Sequence, residues 1–298
     1  VDFQKGITET MVSDPTTRQA DFQRYQEDWE TNARIDAKWS VLTLAGKLGE
    51  GWDDRDFFDI GVREIAEVFR FMEKTGIRAV GALPLARCLD FGCGVGRITQ
   101  ALAAQIPEAY GIDISDSMLR QAQAYANAAG KKNIRFVKST SSDLATDLGR
   151  RDFDFVYTNI TLQHLNNDLQ REYIRQFSGI LAPQGFAVFQ IPSVRPRPTL
   201  AAKTWQTLSS MKPRNLLSLL RNSVKQGVLP WRIRMEMNIL SEAEAEKVAT
   251  DAGMILRGKG YINWDIFYRT QKFVLETTPP KGQETFPVSP LYFFQKKS

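Results

Sequence analysis

"ARCLDFGCGVGRITQALA", residues 86–103, sets three glycines directly after an aspartate that closes an apolar run. The pattern reads as a short buried strand over 87–90 and a helix over about 97–105, with the glycines in the turn between them. Such a turn cradles a nucleotide-like ligand, because glycine allows close backbone approach and the helix N-terminus presents unpaired amides. A dinucleotide fingerprint needs G-x-G-x-x-G. Here the glycines are Gly92, Gly94 and Gly96, and Arg97 stands where that fingerprint would place its third glycine. What remains is D-x-G-x-G-x-G, with Asp90 two residues before the first glycine. An acid there suits a ligand carrying an ammonium group better than a phosphate, while helix amides suit a carboxylate.

Outward from this turn, short apolar runs at 109–113, 134–137, 153–158 and 186–191 alternate with helical stretches at about 116–129 and 168–181. That alternation predicts an α/β fold with a parallel sheet covered on both faces. The N-terminal part is helical in pattern: Phe22, Tyr25 and Trp29 recur at helical spacing, as do Ile65, Val68, Phe69 and Met72. Beyond residue 192 the alternation stops. Leu216, Leu217, Leu220 and Val224 then form one helical stripe, Ser241 and Glu244 form a capping box for a helix ending at Gly253, and 254–261 reads as a strand with 266–275 as its partner. The last twenty or so residues read as an extended tail or edge strand.

The 298 residues, 43% hydrophobic and 24% charged, describe a globular chain rather than a disordered one. Cys88 and Cys93, the two cysteines, lie too close on one strand-turn unit for a disulfide framework or a zinc ligand set, so no metal is expected and a reducing, cytoplasmic setting fits. The N-terminal "VDFQKGITET" is polar and does not read as a signal peptide, and no apolar run approaches the roughly 20 residues of a membrane helix. The net charge of +5 is mild, but its distribution is not: residues 183–235 hold no Asp or Glu and carry Arg195, Arg197, Lys203, Lys212, Arg214, Arg221, Lys225, Arg232 and Arg234.

With these residues in view, "LDFGCGVGRIT" resembles the first motif of the class I S-adenosylmethionine-dependent methyltransferases, and the order of motifs after it is similar. The resemblance covers about 86–193 and, more loosely, 241–277. It implies a Rossmann-like, doubly wound, seven-stranded sheet with one antiparallel strand near its edge, an N-terminal helical cap over 1–80, a cofactor-binding core over 81–193, an insertion after the fifth strand over 194–240, and the remainder of the core with a tail over 241–298. The cofactor implied is S-adenosylmethionine, leaving S-adenosylhomocysteine as product. Its binding residues by resemblance are Asp90, Gly92, Cys93, Gly94 and Gly96 in the first motif, and Asp113, Ile114 and Met118 after the second strand. Ser142 and Asp143 follow the third strand, and Asn159 the fourth. Asp113 would take the ribose hydroxyls and Asp143 the adenine amine; read singly, each is equally a helix or loop cap. "WETNARIDAKWSVL" and "MEMNILSEAEAEKVATDAGM" resemble a bacterial small-molecule subgroup, whose members carry His after Met-Glu-Met where this chain has Asn238.

Methyl transfer from a sulfonium is an in-line displacement, so alignment and exclusion of water do most of the work. A hydroxyl or amine acceptor still has to lose a proton, and His164, the chain's single histidine, follows the fourth strand where a base would stand; the alternative is a histidine bonded to backbone. Tyr25, Trp29 and Trp39 read either as core packing or as a lid touching substrate. Arg63 reads as a ligand of the cofactor carboxylate or as a solvated helix face. The expected reaction is methylation of a small molecule, oxygen before nitrogen, with an RNA methyltransferase and a non-catalytic cofactor-binding regulator as rivals. Nucleic acid is disfavoured because "NITL" lacks the N-P-P-Y type signature and no Pro-Cys pair is present. For the acid-free segment three readings stand: a basic cap over an anionic or lipid-like acceptor, an interfacial helix in peripheral contact with a membrane, and a solvated insertion.

Overall fold

A computed structural model of the chain describes residues 15–44, 46–49, 51–78, 85–194, 213–227, 232–281 and 286–298. Two helices, α1 (Pro15–Val41) and α2 (Asp54–Lys74), precede the first strand. Strand and helix then alternate through β1 (Arg87–Phe91), α3 (Arg97–Ala103), β2 (Glu108–Asp113), α4 (Asp116–Ala128), β3 (Ile134–Lys138), α5 (Leu144–Leu148), β4 (Phe153–Thr158), α6 (Asn167–Ile180) and β5 (Leu181–Gln190). After it come α7 (Pro213–Gln226), α8 (Glu242–Asp251), β6 (Met254–Ile262), α9 (Trp264–Thr270), β7 (Leu275–Glu276) and β8 (Pro290–Lys296).

The strands form one sheet in the order β3-β2-β1-β4-β5-β8-β6-β7. Strands β1 to β5 run parallel, and β8 pairs antiparallel with both β5 and β6. Side chains alternate between the two faces as the two-residue period of a strand requires. Cys88, Phe155, Tyr157, Val188 and Phe293 pack on one face with α2 and α3, and Leu89, Val156, Ala187, Tyr292 and Phe294 on the other with α6 and α8. Strand order reverses between β1 and β4, and in an open α/β sheet the crevice at that switch point, beyond the carboxyl ends of the strands, is where ligands bind.

Three expectations change. The sheet has eight strands rather than seven, the extra one being the two-residue edge strand β7. The C-terminal segment is no edge: β8 is inserted between β5 and β6, and Leu291, Tyr292, Phe293 and Phe294 are all fully buried. Residues 264–270 form α9 instead of a strand, because the Asn263 side chain accepts the Ile266 amide at 3.0 Å and caps a helix at that point. Ser241 caps α8 as read, its hydroxyl accepting the Glu244 amide at 3.3 Å, while the Glu244 carboxylate accepts Arg171 Nε at 2.7 Å; Gly253 follows that helix with φ +88°.

Helix α1 is broken at Asp36, which is extended at φ −161°, ψ 94°. Its carboxylate accepts the Trp39 amide at 3.1 Å, starting the last turn afresh, and the Gly49 amide at 2.8 Å. Helix α7 lies against α1 and the loop after it: Leu219 packs with Ile35 of α1 and with Leu48, and the Asn215 amide donates to the Gly46 carbonyl at 3.1 Å. Of the acid-free segment, Arg195, Arg197, Lys203 and Lys212 lie outside the described residues, as do the side chains of Arg214 and Leu216. Among the described residues no helix is long and apolar enough to cross a membrane.

Candidate functional site

The glycine turn closes the carboxyl end of β1, and its three glycines all take positive φ: Gly92 +73°, Gly94 +52° and Gly96 +80°. Space is as restrictive as conformation at two of them. A Cβ on Gly92 would stand 2.2 Å from Thr161 Cγ2, and one on Gly94 would stand 2.5 Å from Val41 Cγ2, at the end of α1. The turn is folded by the amides of Gly92 and Cys93, which both donate to the Ile112 carbonyl, at 2.9 and 3.0 Å. A cleft of about 940 Å³, its open mouth included, extends from this turn along the switch point.

Asp113, at the end of β2, is aimed into this cleft by its own backbone neighbourhood. One carboxylate oxygen accepts the Gly94 amide at 2.8 Å and the other the Ser115 amide at 2.9 Å. Burial raises its pKa, opposed by these amides and by Lys138. Asp90 is 3% exposed and accepts the Thr99 hydroxyl at 2.6 Å. Burial pushes its pKa up to about 7, against the Thr99 bond and the Arg97 charge, so a cationic ligand group beside it would favour the carboxylate.

Below the cleft lies a buried ion pair. Arg97 lines the cleft and its Nη1 meets Glu64 of α2 at 2.8 Å, with side chains 3% and 2% exposed. The other Glu64 oxygen accepts the Tyr157 hydroxyl and the Asn159 amide, both at 2.8 Å. Arg97 Nε is buried without a hydrogen-bond partner. Next to this network Ile160 holds φ +63°, a left-handed conformation that a β-branched residue adopts only under constraint; its amide donates to Gln190 Oε1 at 3.1 Å. Strain of this kind, costing about 1–3 kcal/mol, concentrates at functional sites.

Helix α1 roofs the cleft with Phe22, Tyr25, Trp29 and Val41. Carboxylates on both sides fasten it. Glu30 accepts the Ser115 hydroxyl at 2.7 Å, the Ser117 amide at 3.0 Å and the Ser117 hydroxyl, placing a carboxylate on the N-terminus of α4. Burial alone would raise its pKa, but these hydrogen bonds and Arg34 outweigh it and bring the pKa down to about 2. On the far side, Glu236 accepts Arg24 Nη1 at 2.6 Å and the Tyr25 hydroxyl at 3.1 Å. Residues 232–240 thus cross beside α1 as a strap, and the Asn238 amide ties the strap to the Gln163 carbonyl at 2.7 Å.

A family model described as a methyltransferase domain matches residues 88–185, the stretch that builds the glycine turn, Asp113 and the Asn159 loop. Over these residues the chain is similar to a methyltransferase domain. The trans-aconitate 2-methyltransferase of Streptomyces avermitilis is 34% identical to it over 110 residues, 36% of this chain and 39% of that one. A ubiquinone biosynthesis O-methyltransferase of Rickettsia canadensis is 25% identical over 169 residues, 57% of this chain and 62% of that one. The chain thus spans less than two thirds of the length of these curated relatives. Among solved structures, magnesium protoporphyrin IX methyltransferase from Synechocystis with bound SAH superposes with a TM-score of 0.54 at 17% identity, covering 93% of this chain and all of that one, a likeness of fold.

The structure brings Asp90, Gly92, Cys93, Gly94, Asp113, Ile114, Met118 and Asn159 to the cleft wall, with Tyr25 and Trp29 above them. Gly96 caps α3 beside them. Ser142 and Asp143 are not on the wall. The Asp143 carboxylate caps α5, accepting the Ala145 and Thr146 amides at 2.9 and 3.2 Å, and Ser139 is the residue of that loop that reaches the cleft. Trp39 turns its indole N–H to the Leu44 carbonyl at 3.2 Å, and Arg63 is exposed on α2.

His164 is also off the wall. It is buried, its Nδ1 lies 2.6 Å from the Glu236 carbonyl, its Nε2 faces the Gln163 amide at 3.4 Å, and Trp29 packs edge-on against its ring. Burial lowers its pKa despite that carbonyl and the Glu236 charge, which keeps the ring neutral. Sequence reasoning missed Arg97, Glu64 and Glu30. Glu64 had a signal, an acid on the apolar stripe of α2 formed by Phe57, Ile60, Val68 and Met72.

Proposed function

We propose that the chain transfers a methyl group from S-adenosylmethionine to an oxygen of a small molecule, and that this oxygen is one already ionised at neutral pH, such as a carboxylate. The observation that carries the methyl-transfer reading is the cradle itself: two glycines at positive φ with no room for a Cβ, opening on a cleft where a half-buried aspartate ends the neighbouring strand. S-adenosylmethionine supplies, when bound, a methyl group on a positively charged sulfur. The residues present fit it. Asp113 has lone pairs left beyond its two backbone amides to accept the ribose hydroxyls. Asp90 answers the ammonium, and the unpartnered Nε of Arg97 offers a donor to the carboxylate. Phe22, Tyr25 and Trp29 exclude water from the reacting end, which strengthens each of these contacts.

The acceptor class follows from His164. A ring with Nδ1 on a backbone carbonyl and Nε2 on a side-chain amide is engaged at both nitrogens. Tyr25, whose pKa burial and Glu236 push up to about 12, is no base at neutral pH. Alignment therefore carries the reaction and the acceptor arrives deprotonated, which agrees with the name of the trans-aconitate relative. Release of S-adenosylhomocysteine with a panel of polycarboxylates, phenols and amines tests the proposal. Turnover with carboxylates and a rate flat in pH above about 6 is expected. Turnover confined to amines or phenols would refute the acceptor class, and absence of S-adenosylhomocysteine binding in calorimetry would refute the reading as a whole.

A further inference from the structure

Helix α7 buries one face and leaves the other bare. Leu219 packs it on Ile35 of α1 and Asn215 ties it to Gly46 in the loop after α1, whereas Leu217, Leu220 and Val224 are 68%, 47% and 84% exposed. At 3.6 residues per turn these three fall within about 60° of one another, a continuous apolar ridge. Arg221 and Lys225, both exposed, lie along one border of the ridge, and exposed Arg232 follows the helix. The whole stretch 183–235 holds no acid, and before α7 its sequence carries Arg195, Arg197, Lys203 and Lys212. Leucine and valine exposed beside Arg221 and Lys225, in a stretch of sequence without an acid, make the pairing that an interfacial helix uses.

We infer that α7 docks the protein on an anionic lipid surface, with Leu217, Leu220 and Val224 in the acyl boundary and Arg221 and Lys225 at the head groups. Charge selects this occupant. A symmetric antiparallel contact of the ridge with that of a second copy would bring the cationic borders of both helices to the same side. Nucleic acid would match the cations and leave the ridge without a partner, and an acidic groove in a protein would have to match a convex ridge, whereas an acyl layer deforms around it. The inference rests on the face of α7 and not on the chemistry of the cleft, although docking there sets the roof helix α1 next to the bilayer.

Sedimentation with vesicles of phosphatidylcholine, with and without phosphatidylglycerol, tests it. The native chain is expected to bind only the phosphatidylglycerol vesicles, less so as salt is raised. The variant Leu217→Ser with Val224→Ser should bind at least about tenfold more weakly, because two buried apolar side chains are lost. Arg221→Gln and Lys225→Gln should each weaken binding on the order of fivefold. All of these residues are exposed, so the variants should keep the native melting temperature and S-adenosylhomocysteine affinity. No binding to phosphatidylglycerol vesicles would overturn the inference, as would binding unchanged by Leu217→Ser with Val224→Ser. So would a dimer in sedimentation velocity that this variant dissolves, which would give the ridge to a second copy.

Discussion

Replacing Glu64 by Gln keeps the shape of the side chain and removes its charge, which makes it the sharpest probe of the network under the cleft. The native carboxylate is acceptor on both sides: Arg97 Nη1 at 2.8 Å on one oxygen, the Tyr157 hydroxyl and Asn159 amide at 2.8 Å on the other. An amide has one acceptor and one donor end. Whichever way Gln is turned, its NH₂ meets either the guanidinium or the Tyr157 and Asn159 donors. The Arg97 charge, 3% exposed, is then left without its partner. Breaking a buried pair from one side costs about 3–5 kcal/mol, which for a chain of this size lowers the melting midpoint by roughly 6–20 °C. Urea titration read by tryptophan fluorescence gives the free energy and scanning calorimetry the midpoint. The double variant Glu64→Gln with Arg97→Met should recover most of the loss, because it removes the stranded charge as well. A single variant that loses less than about 1 kcal/mol would refute the reasoning, and so would a double variant whose loss is the sum of the two singles.

Three further outcomes are expected. Asp113→Ala should weaken S-adenosylhomocysteine binding by about 1–3 kcal/mol in calorimetry with the fold intact, the cost of leaving buried hydroxyl donors unpaired. His164→Ala should lower kcat by less than about tenfold and lower the melting temperature. Because the folded pKa of His164 lies below the unfolded value, the native chain also loses stability as pH falls below about 6.5, a slope the variant should reduce in urea titrations at stepped pH. Glu30, held at about 2 against an ordinary 4.5, contributes stability that is present above pH 4.5 and lost as pH falls toward 2. Glu30→Gln should therefore speed amide exchange in α1 and at the start of α4 at neutral pH, measured by mass spectrometry.

The parts of this fold legible in the sequence are those whose pattern is local. The turn from Asp90 to Arg97 follows from glycine spacing, and the buried parallel strands from unbroken apolar runs. The C-terminal "LYFFQ" misled because its neighbours in space, β5 and β6, are invisible from its own residues; four consecutive buried side chains distinguish an interior strand from a tail only once both faces are seen to be covered. At the site, Asp113 was legible from its place after a strand. Asp143 shows the limit of that argument, since the same placement allows a helix cap and its carboxylate is used as one. His164 stood out for its chemistry, but the carbonyl that its Nδ1 meets lies 72 residues away in the strap and is invisible from its own neighbours. Arg97 was visible only as a departure from another motif, and its partner Glu64 lies on a different helix.

The position of β8 bears on how the chain is made. Its pairing partner β5 ends at Gln190, and β8 begins at Pro290. At about 5–20 residues per second, a ribosome needs roughly 5–20 s to deliver the intervening hundred residues. Throughout that interval the apolar edge of β5, Phe186 to Gln190, has no strand to pair with, and β6 cannot join the sheet because β8 must lie between them. An open edge of that composition is a template for pairing with other chains. The edge of β5 is therefore exposed to such pairing for as long as β8 is unmade, and it is closed last of the sheet's long strands.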